Sequence, residues 1–185
     1  IRSLKQASPN LEFFDRSLLK LFKHWFNPSF LVLESIDWST PANILEKIIA
    51  YEAVHEINSW DDLRARLAPD DRRCFAFFHP LMPNEPLIFV EVALSNEIPN
   101  TINDIITIDR NVTLNQDINT AVFYSISNCQ EGLSGISFGN FLIKQVAHKI
   151  KQENDGLDKF VTLSPAPGFV QWLEEHSIDS DSDSD

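Results

Sequence analysis

Residues 120–150 read TAVFYSISNCQEGLSGISFGNFLIKQVAHKI, and the change of texture within this stretch decides the fold. Thr120 to Ser127 is a run of aromatic, β-branched and small residues of strand length. Gly132, Gly135 and Gly139 follow within eight residues, and from Phe141 to Ile150 the apolar positions Leu142, Ile143, Val146, Ala147 and Ile150 recur at helical spacing. A strand that hands over to a helix through a glycine loop aims backbone N–H groups, and the positive end of a helix dipole, beyond the end of the strand. A phosphate or pyrophosphate group suits such a loop. The spacing is neither the Gly-x-Gly-x-x-Gly fingerprint nor a Walker loop, so spacing alone leaves a phosphate cradle and an ordinary turn both open.

Working outward, Cys74 to Phe78 and Leu87 to Leu94 are β-rich runs separated by Pro80, Pro83, Asn84 and Pro86, which predicts two antiparallel strands joined by a loop. On the other side, Phe160 to Leu163 predicts a fourth strand that runs into Ser164-Pro-Ala-Pro-Gly168, with a helix beginning near Phe169. Before Arg72 the pattern reads as helical. Leu11, Phe14, Leu18, Leu21, Phe22 and Trp25 form one stripe expected to be buried, closed by Asn27-Pro28. Ser39-Thr40-Pro41 reads as a hydroxyl-capped helix start with Ile44, Leu45, Ile48 and Ile49 inward, and Ser59 opens a short helix with Asp62 three residues on.

The chain has 185 residues, 43% of them hydrophobic, which is enough for an ordinary core. Its formal charge of -12 argues against general nucleic-acid binding, because neutralising phosphates requires a basic surface. No apolar run approaches the roughly 18 residues needed to cross a bilayer, and no charged-then-apolar leader is visible, so neither a membrane nor secretion is expected. Two cysteines, Cys74 and Cys129, without Cys-x-x-Cys spacing, fit a reducing compartment, and the cytoplasm is the expectation. The Ser-Asp alternation from Ser180 to Asp185 cannot bury anything and reads as disordered.

Few residues stand out for chemistry. Ser164 ends a strand and precedes two prolines and a glycine, which either aims its hydroxyl into a pocket or makes it the cap of the helix near Phe169. Gly-x-Ser-x-Gly is absent, so a hydrolase nucleophile elbow is not supported. His24, His55, His79, His148 and His176 show no zinc spacing, His148 falls outside its helix's apolar stripe, and His79 ends a strand where it could approach a pocket. Glu91 interrupts an apolar strand, either as a general base or, more simply, on a solvated face.

Three stretches carry a family resemblance: Asp37-Trp-Ser-Thr-Pro-Ala-Asn-Ile-Leu-Glu-Lys-Ile with Glu52-Ala-Val-His-Glu, Phe123-Tyr-Ser-Ile-Ser-Asn-Cys-Gln-Glu-Gly-Leu, and Leu163-Ser-Pro-Ala-Pro-Gly-Phe. From about Asp15 to Leu173 the chain resembles malonyl-CoA decarboxylases, the bacterial members more than the animal ones. The resemblance implies an α+β fold in which residues 1–71 end an all-helical N-terminal domain, 72–173 form part of a catalytic domain similar to the GCN5-related acetyltransferases, and 174–185 are a disordered acidic tail.

It further implies a malonyl-CoA-binding loop at Ser134, Gly135, Ile136, Ser137, Phe138, Gly139 and Asn140, with Ser164 as both catalytic and substrate-binding residue. Animal members carry glutamate where this chain has Ser137. The family's catalytic histidine lies downstream of the Pro-Gly-Phe motif, in sequence absent here, so the chain is expected to be an internal fragment, inactive by itself. Malonyl-CoA is the implied substrate, no metal or organic cofactor is required, and a homo-oligomer is expected at full length. An acyl-CoA-dependent acyltransferase of the same fold and a non-catalytic acyl-CoA-binding or subunit-contact piece are the alternatives.

Overall fold

A computed structural model describes residues 9–110, 112, 118–133, 136, 138–166 and 168–177. Its centre is a five-stranded sheet in the order β1-β2-β3-β4-β5, with β1 Val32–Ile36, β2 Arg72–His79, β3 Met82–Ser95, β4 Thr120–Asn128 and β5 Lys159–Thr162. The first four strands are antiparallel neighbours, and β5 runs parallel to β4. A parallel pair needs a crossover, supplied here by α5, Gly139–Glu153. The expected hairpin of β2 and β3, the third strand, the helix after the glycine loop, the fourth strand and the helix at Phe169 (α6, Phe169–Ser177) are all present.

Strand alternation sorts side chains to two faces. Phe75 and Phe77 of β2, with Ile88, Val90 and Val92 of β3, face α5, whose Leu142, Val146 and Ile150 are fully buried against them. Cys74, Ala76, Phe78 and Phe89 face the other way, towards α2 (Ala42–Tyr51) and α3 (Trp60–Leu67) through Ile44, Leu45, Ile48, Leu63 and Leu67. A short helix, α4 (Asn103–Ile106), closes a third apolar cluster in which Ile105 meets Ala93, Val122 and Tyr124.

Four local expectations need correction. The part before Arg72 is not helical throughout, because Val32–Ile36 is a strand paired with β2 and Ile36 joins the core. The stripe of α1 (Pro9–Trp25) is not buried: Phe14 is 52% and Trp25 53% exposed, and only Phe22 among the six reaches the core. The helix after Ser39-Thr40 starts where expected but has no side-chain cap, since Thr40 Oγ1 accepts from Asp37 N instead. The tail does not begin at residue 174, because α6 continues through Ser177. Residues 178–185, including the Ser-Asp alternation, lie outside the described residues. Ser59 does cap α3, accepting from Asp62 N at 3.1 Å, while Asp62 Oδ2 accepts from Asn58 N.

Candidate functional site

The sheet opens where β5 leaves β4. β5 pairs with β4 only from Thr120 to Phe123, and a last bond joins Leu163 N to Phe123 O. From Ser125 to Asn128, β4 pairs with β3 alone among the described strands. Carboxyl ends of parallel strands that part in this way make a crevice, the usual place for a ligand in such sheets. Both expected site segments follow these carboxyl ends: the loop towards α5 follows β4, and Ser164 follows β5 by two residues.

Within the expected loop, Ser134, Gly135 and Ser137 lie outside the described residues. Phe138 is buried against the α5 face of the core, and Gly139 and Asn140 begin α5 with no side-chain cap from Phe138, so among the described residues no side chain caps the first-turn N–H groups. Ile136 and Phe138 line a cavity of about 290 Å³ together with Leu87, Asn128, Gln130 and Leu133. Gly132 and Gly139 have ordinary φ and nothing within 4 Å of where a Cβ would stand. Open space beside the backbone, rather than a demand for left-handed φ, is what these glycines provide.

Ser164 is exposed, and its hydroxyl makes no hydrogen bond among the described residues, so the helix-cap alternative finds no support there. Its turn contains Gly168 at φ +79°, a conformation that favours glycine. No described contact joins Ser164 to the loop residues.

Behind the open half of β4 lies a polar cluster that was not read as a unit from sequence. A bulge puts one extra residue, Tyr124, between the pairs Glu91–Ser125 and Val92–Phe123. It reverses the alternation, so that Ser125 and Ser127 point to the α2/α3 side. There the Glu52 carboxylate accepts from Ser125 Oγ at 2.7 Å and from Ser127 Oγ at 3.2 Å, while His55 Nε2 donates to Tyr124 O at 3.1 Å.

Arg66 locks this loop in place. It donates to His55 O, Glu56 O and Glu91 Oε2 at 2.8, 3.0 and 3.1 Å. Glu91 is fully buried, so neither a solvated face nor a freely accessible base describes it. Burial pushes its carboxyl up to about 7, against the pull of Arg66. Among the described residues Glu91 Oε1 and Tyr124 Oη are buried with no hydrogen bond of normal geometry. A second carboxylate, Glu85, accepts from Lys47, from Tyr51 Oη at 2.7 Å and from Gln130 Nε2 at 3.0 Å, tying α2 to the root of the loop. Lys47 above all holds Glu85 below the usual carboxylate range.

The remaining histidines stand apart. His148 is exposed beside Gln152, His176 stacks on Trp172, and His79 lines an apolar cavity with His24, Trp25, Phe26, Phe30 and Leu81. Among the described residues no cluster of three or more His, Cys, Asp or Glu could hold a metal ion, and no helix is long and apolar enough to cross a membrane.

The sequence of the malonyl-CoA decarboxylase C-terminal domain family matches residues 29–184. The chain belongs to the malonyl-CoA decarboxylase family. This match runs past Leu173, the expected end of the resemblance. The mitochondrial malonyl-CoA decarboxylase of Mus musculus is 40% identical over 172 residues, covering 89% of this chain and 34% of its own length. That of Anser anser anser is 39% identical over 167 residues, covering 89% and 33%. The crystal structure of malonyl-CoA decarboxylase from Agrobacterium vitis is 56% identical with a TM-score of 0.88, covering 93% of this chain and 42% of that one. The structure from Rhodopseudomonas palustris is 57% identical with a TM-score of 0.85, covering 98% and 44%. The family member described here thus spans about a third of the length of its curated relatives.

Proposed function

We propose that the full-length protein decarboxylates malonyl-CoA to acetyl-CoA and CO2, and that this chain supplies the acyl-CoA loop and the catalytic serine. The observation that carries the reading is the parting of β5 from β4 after Phe123, which leaves an open strand half between the loop towards α5 and the turn that bears Ser164. An extended pantetheine arm presents amide groups that can pair with an open strand edge, as an added strand does. The CoA phosphates then fall to the N-terminus of α5, with Ser134, Gly135, Ile136, Ser137, Phe138, Gly139 and Asn140 as the loop that holds them.

The chemistry needs little else. In malonyl-CoA the thioester carbonyl is β to the carboxylate, so it accepts the electron pair released as CO2 departs, giving an enolate without a metal or organic cofactor. Oriented donors stabilise that enolate, and a proton delivered to its carbon completes acetyl-CoA. Ser164 hydrogen-bonds the reacting malonyl group. The proton donor is the family's histidine, which has no counterpart in this chain; neither His148 nor His176 replaces it. The finer architecture is that of the GCN5-related acetyltransferases; because β1, α2 and α3 share the sheet's core and the C-terminal domain match begins at residue 29, the boundary expected between 71 and 72 moves forward, and only the residues before 29 are assigned to the end of a helical N-terminal domain. A cytoplasmic homo-oligomer that binds neither nucleic acid nor membrane completes the proposal.

Release of labelled CO2 from carboxyl-labelled malonyl-CoA, by a full-length protein carrying this sequence and by this chain alone, tests the reading. Activity in the full-length protein only is expected, with kcat/KM falling at least a hundredfold in Ser164→Ala. A fall of less than about twofold would remove Ser164 from the chemistry. Transfer of an acyl group to an added amine, without CO2, would identify an acyltransferase instead.

A further inference from the structure

We propose that Glu85 is a positioning residue for acyl-CoA binding: its carboxylate holds Gln130, and through Gln130 the turn that walls the cavity between the end of β4 and the start of α5. The proposal rests on the acyl-CoA reading of that region. The cavity, about 290 Å³, stands between the two places assigned to the ligand, since Asn128 ends β4 and Phe138 directly precedes α5. Asn128 and Glu131 in its lining are exposed and Gln130 is half-buried, so its polar side is open to solvent and to a ligand.

Three donors converge on the Glu85 carboxylate: Lys47 Nζ and Tyr51 Oη of α2, and Gln130 Nε2 from beyond the end of β4. A carboxylate and a carbonyl only accept, so the Gln130 amide turns its NH2 group to Glu85 Oε1 at 3.0 Å and to Pro86 O at 3.4 Å. The charge-assisted bonds from Lys47 and Tyr51 keep the carboxylate in place, and Lys47 also donates to Asn84 O at 2.7 Å, which pins this part of β3 to α2. From Gln130 the hold passes along the backbone: Leu133 N donates to Gln130 O and Ile136 N to Leu133 O, each at 3.0 Å. Gln130, Leu133 and Ile136 all line the cavity, so one chain of bonds that begins at Glu85 sets three of its walls. These walls lie away from the turn that bears Ser164, so their displacement weakens the hold on the CoA part of the substrate rather than the decarboxylation itself.

The test uses a full-length protein carrying this sequence, with malonyl-CoA as substrate and coenzyme A as the binding probe. Glu85→Ala is expected to raise KM for malonyl-CoA, and the calorimetric Kd of coenzyme A with it, at least about fivefold, while kcat stays within about twofold of wild type. In a Gln130→Ala background the same substitution is expected to add less than about twofold, because Glu85 acts through Gln130. A smaller rise in KM, a fall in kcat in its place, or a rise of twofold or more in the Gln130→Ala background overturns the proposal. A lowered Tm with KM and Kd unmoved makes Glu85 a staple between α2 and β3 and overturns it too. If Glu85→Ala does not fold, Gln130→Ala decides: a fivefold rise in KM with kcat retained supports the positioning role, and a smaller rise overturns it. Wild-type protein that releases no CO2 from malonyl-CoA overturns the function on which the proposal stands, whereas wild-type turnover with an indifferent Glu85→Ala overturns the positioning role alone.

Discussion

Arg66→Met should destabilise the protein in a strongly pH-dependent way. The Arg66 and Glu91 side chains are 7% and 0% exposed, and the guanidinium makes the only described hydrogen bond to the Glu91 carboxylate. Removing one partner of a buried ion pair costs about 3–5 kcal/mol, because the other charge is left uncompensated. That cost applies only while Glu91 is ionised. Its carboxyl is raised from 4.5 to about 7 in the folded protein, so between those values the folded state binds more protons than the unfolded one. Stability from this group is therefore fully present below pH 4.5 and falls by about 3 kcal/mol as pH rises through 7.

Loss of Arg66, which pulls this value down, moves the folded pKa higher and extends the fall upwards. Urea unfolding followed by tryptophan fluorescence, with Trp38 and Trp60 in edge-to-face contact at the start of α3, reads the effect. The expected result is a loss of about 3–5 kcal/mol at pH 8 and less than half of that at pH 5, where the lost bonds to His55 O and Glu56 O are what remains. Adding Glu91→Gln should recover part of the loss at pH 8 and flatten its pH dependence. A loss equal at both pH values, or larger at pH 5, would refute the assignment of Glu91 as a buried group whose charge Arg66 stabilises.

Three further outcomes are expected. Leu142→Ala, in the fully buried seam between α5 and the sheet, should cost about 2–5 kcal/mol in denaturant unfolding, with Lys144→Ala on the exposed face as a near-neutral control. Gly168→Ala should cost about 1 kcal/mol, because φ +79° is strained for any residue with a Cβ, and a neutral result would show that the turn after Ser164 relaxes. The isolated chain should self-associate, since Phe13, Trp25, Phe30 and Leu81 near α1 and Phe169, Val170 and Trp172 on α6 are all exposed; sedimentation of Leu81→Glu and Trp172→Glu should show less association, and a monodisperse wild-type monomer would contradict this.

The sheet and its crossover were legible because each element carried its own period. Leu142, Val146 and Ile150 fall on one helical face, and the runs around Phe77, Val90 and Phe123 have strand length and strand composition. Val32–Ile36 was missed as a strand because VLESI has a mixed pattern, and its place is set by pairing with β2 rather than by its own residues. The exposure of Phe14, Leu21 and Trp25 was equally illegible: helical spacing reports which residues share a face, not whether anything in this chain covers it.

The candidate site was legible only through its motifs, and the gap has one physical origin. Glu91 on an apolar strand reads as solvent-facing, but its meaning depends on Arg66, 25 residues earlier, and on a one-residue bulge at Tyr124 that no local pattern announces. The same bulge turns Ser125 and Ser127 away from the α5 face and on to Glu52, more than 70 residues back. Glu52-Ala-Val-His and Phe123-Tyr-Ser-Ile-Ser stood out as two separate stretches of family resemblance, yet they are two sides of one contact. What joins them is the register of β3 on β4: without the extra residue, Ser125 would point towards α5, and the Glu52 carboxylate would lose both of its serine donors.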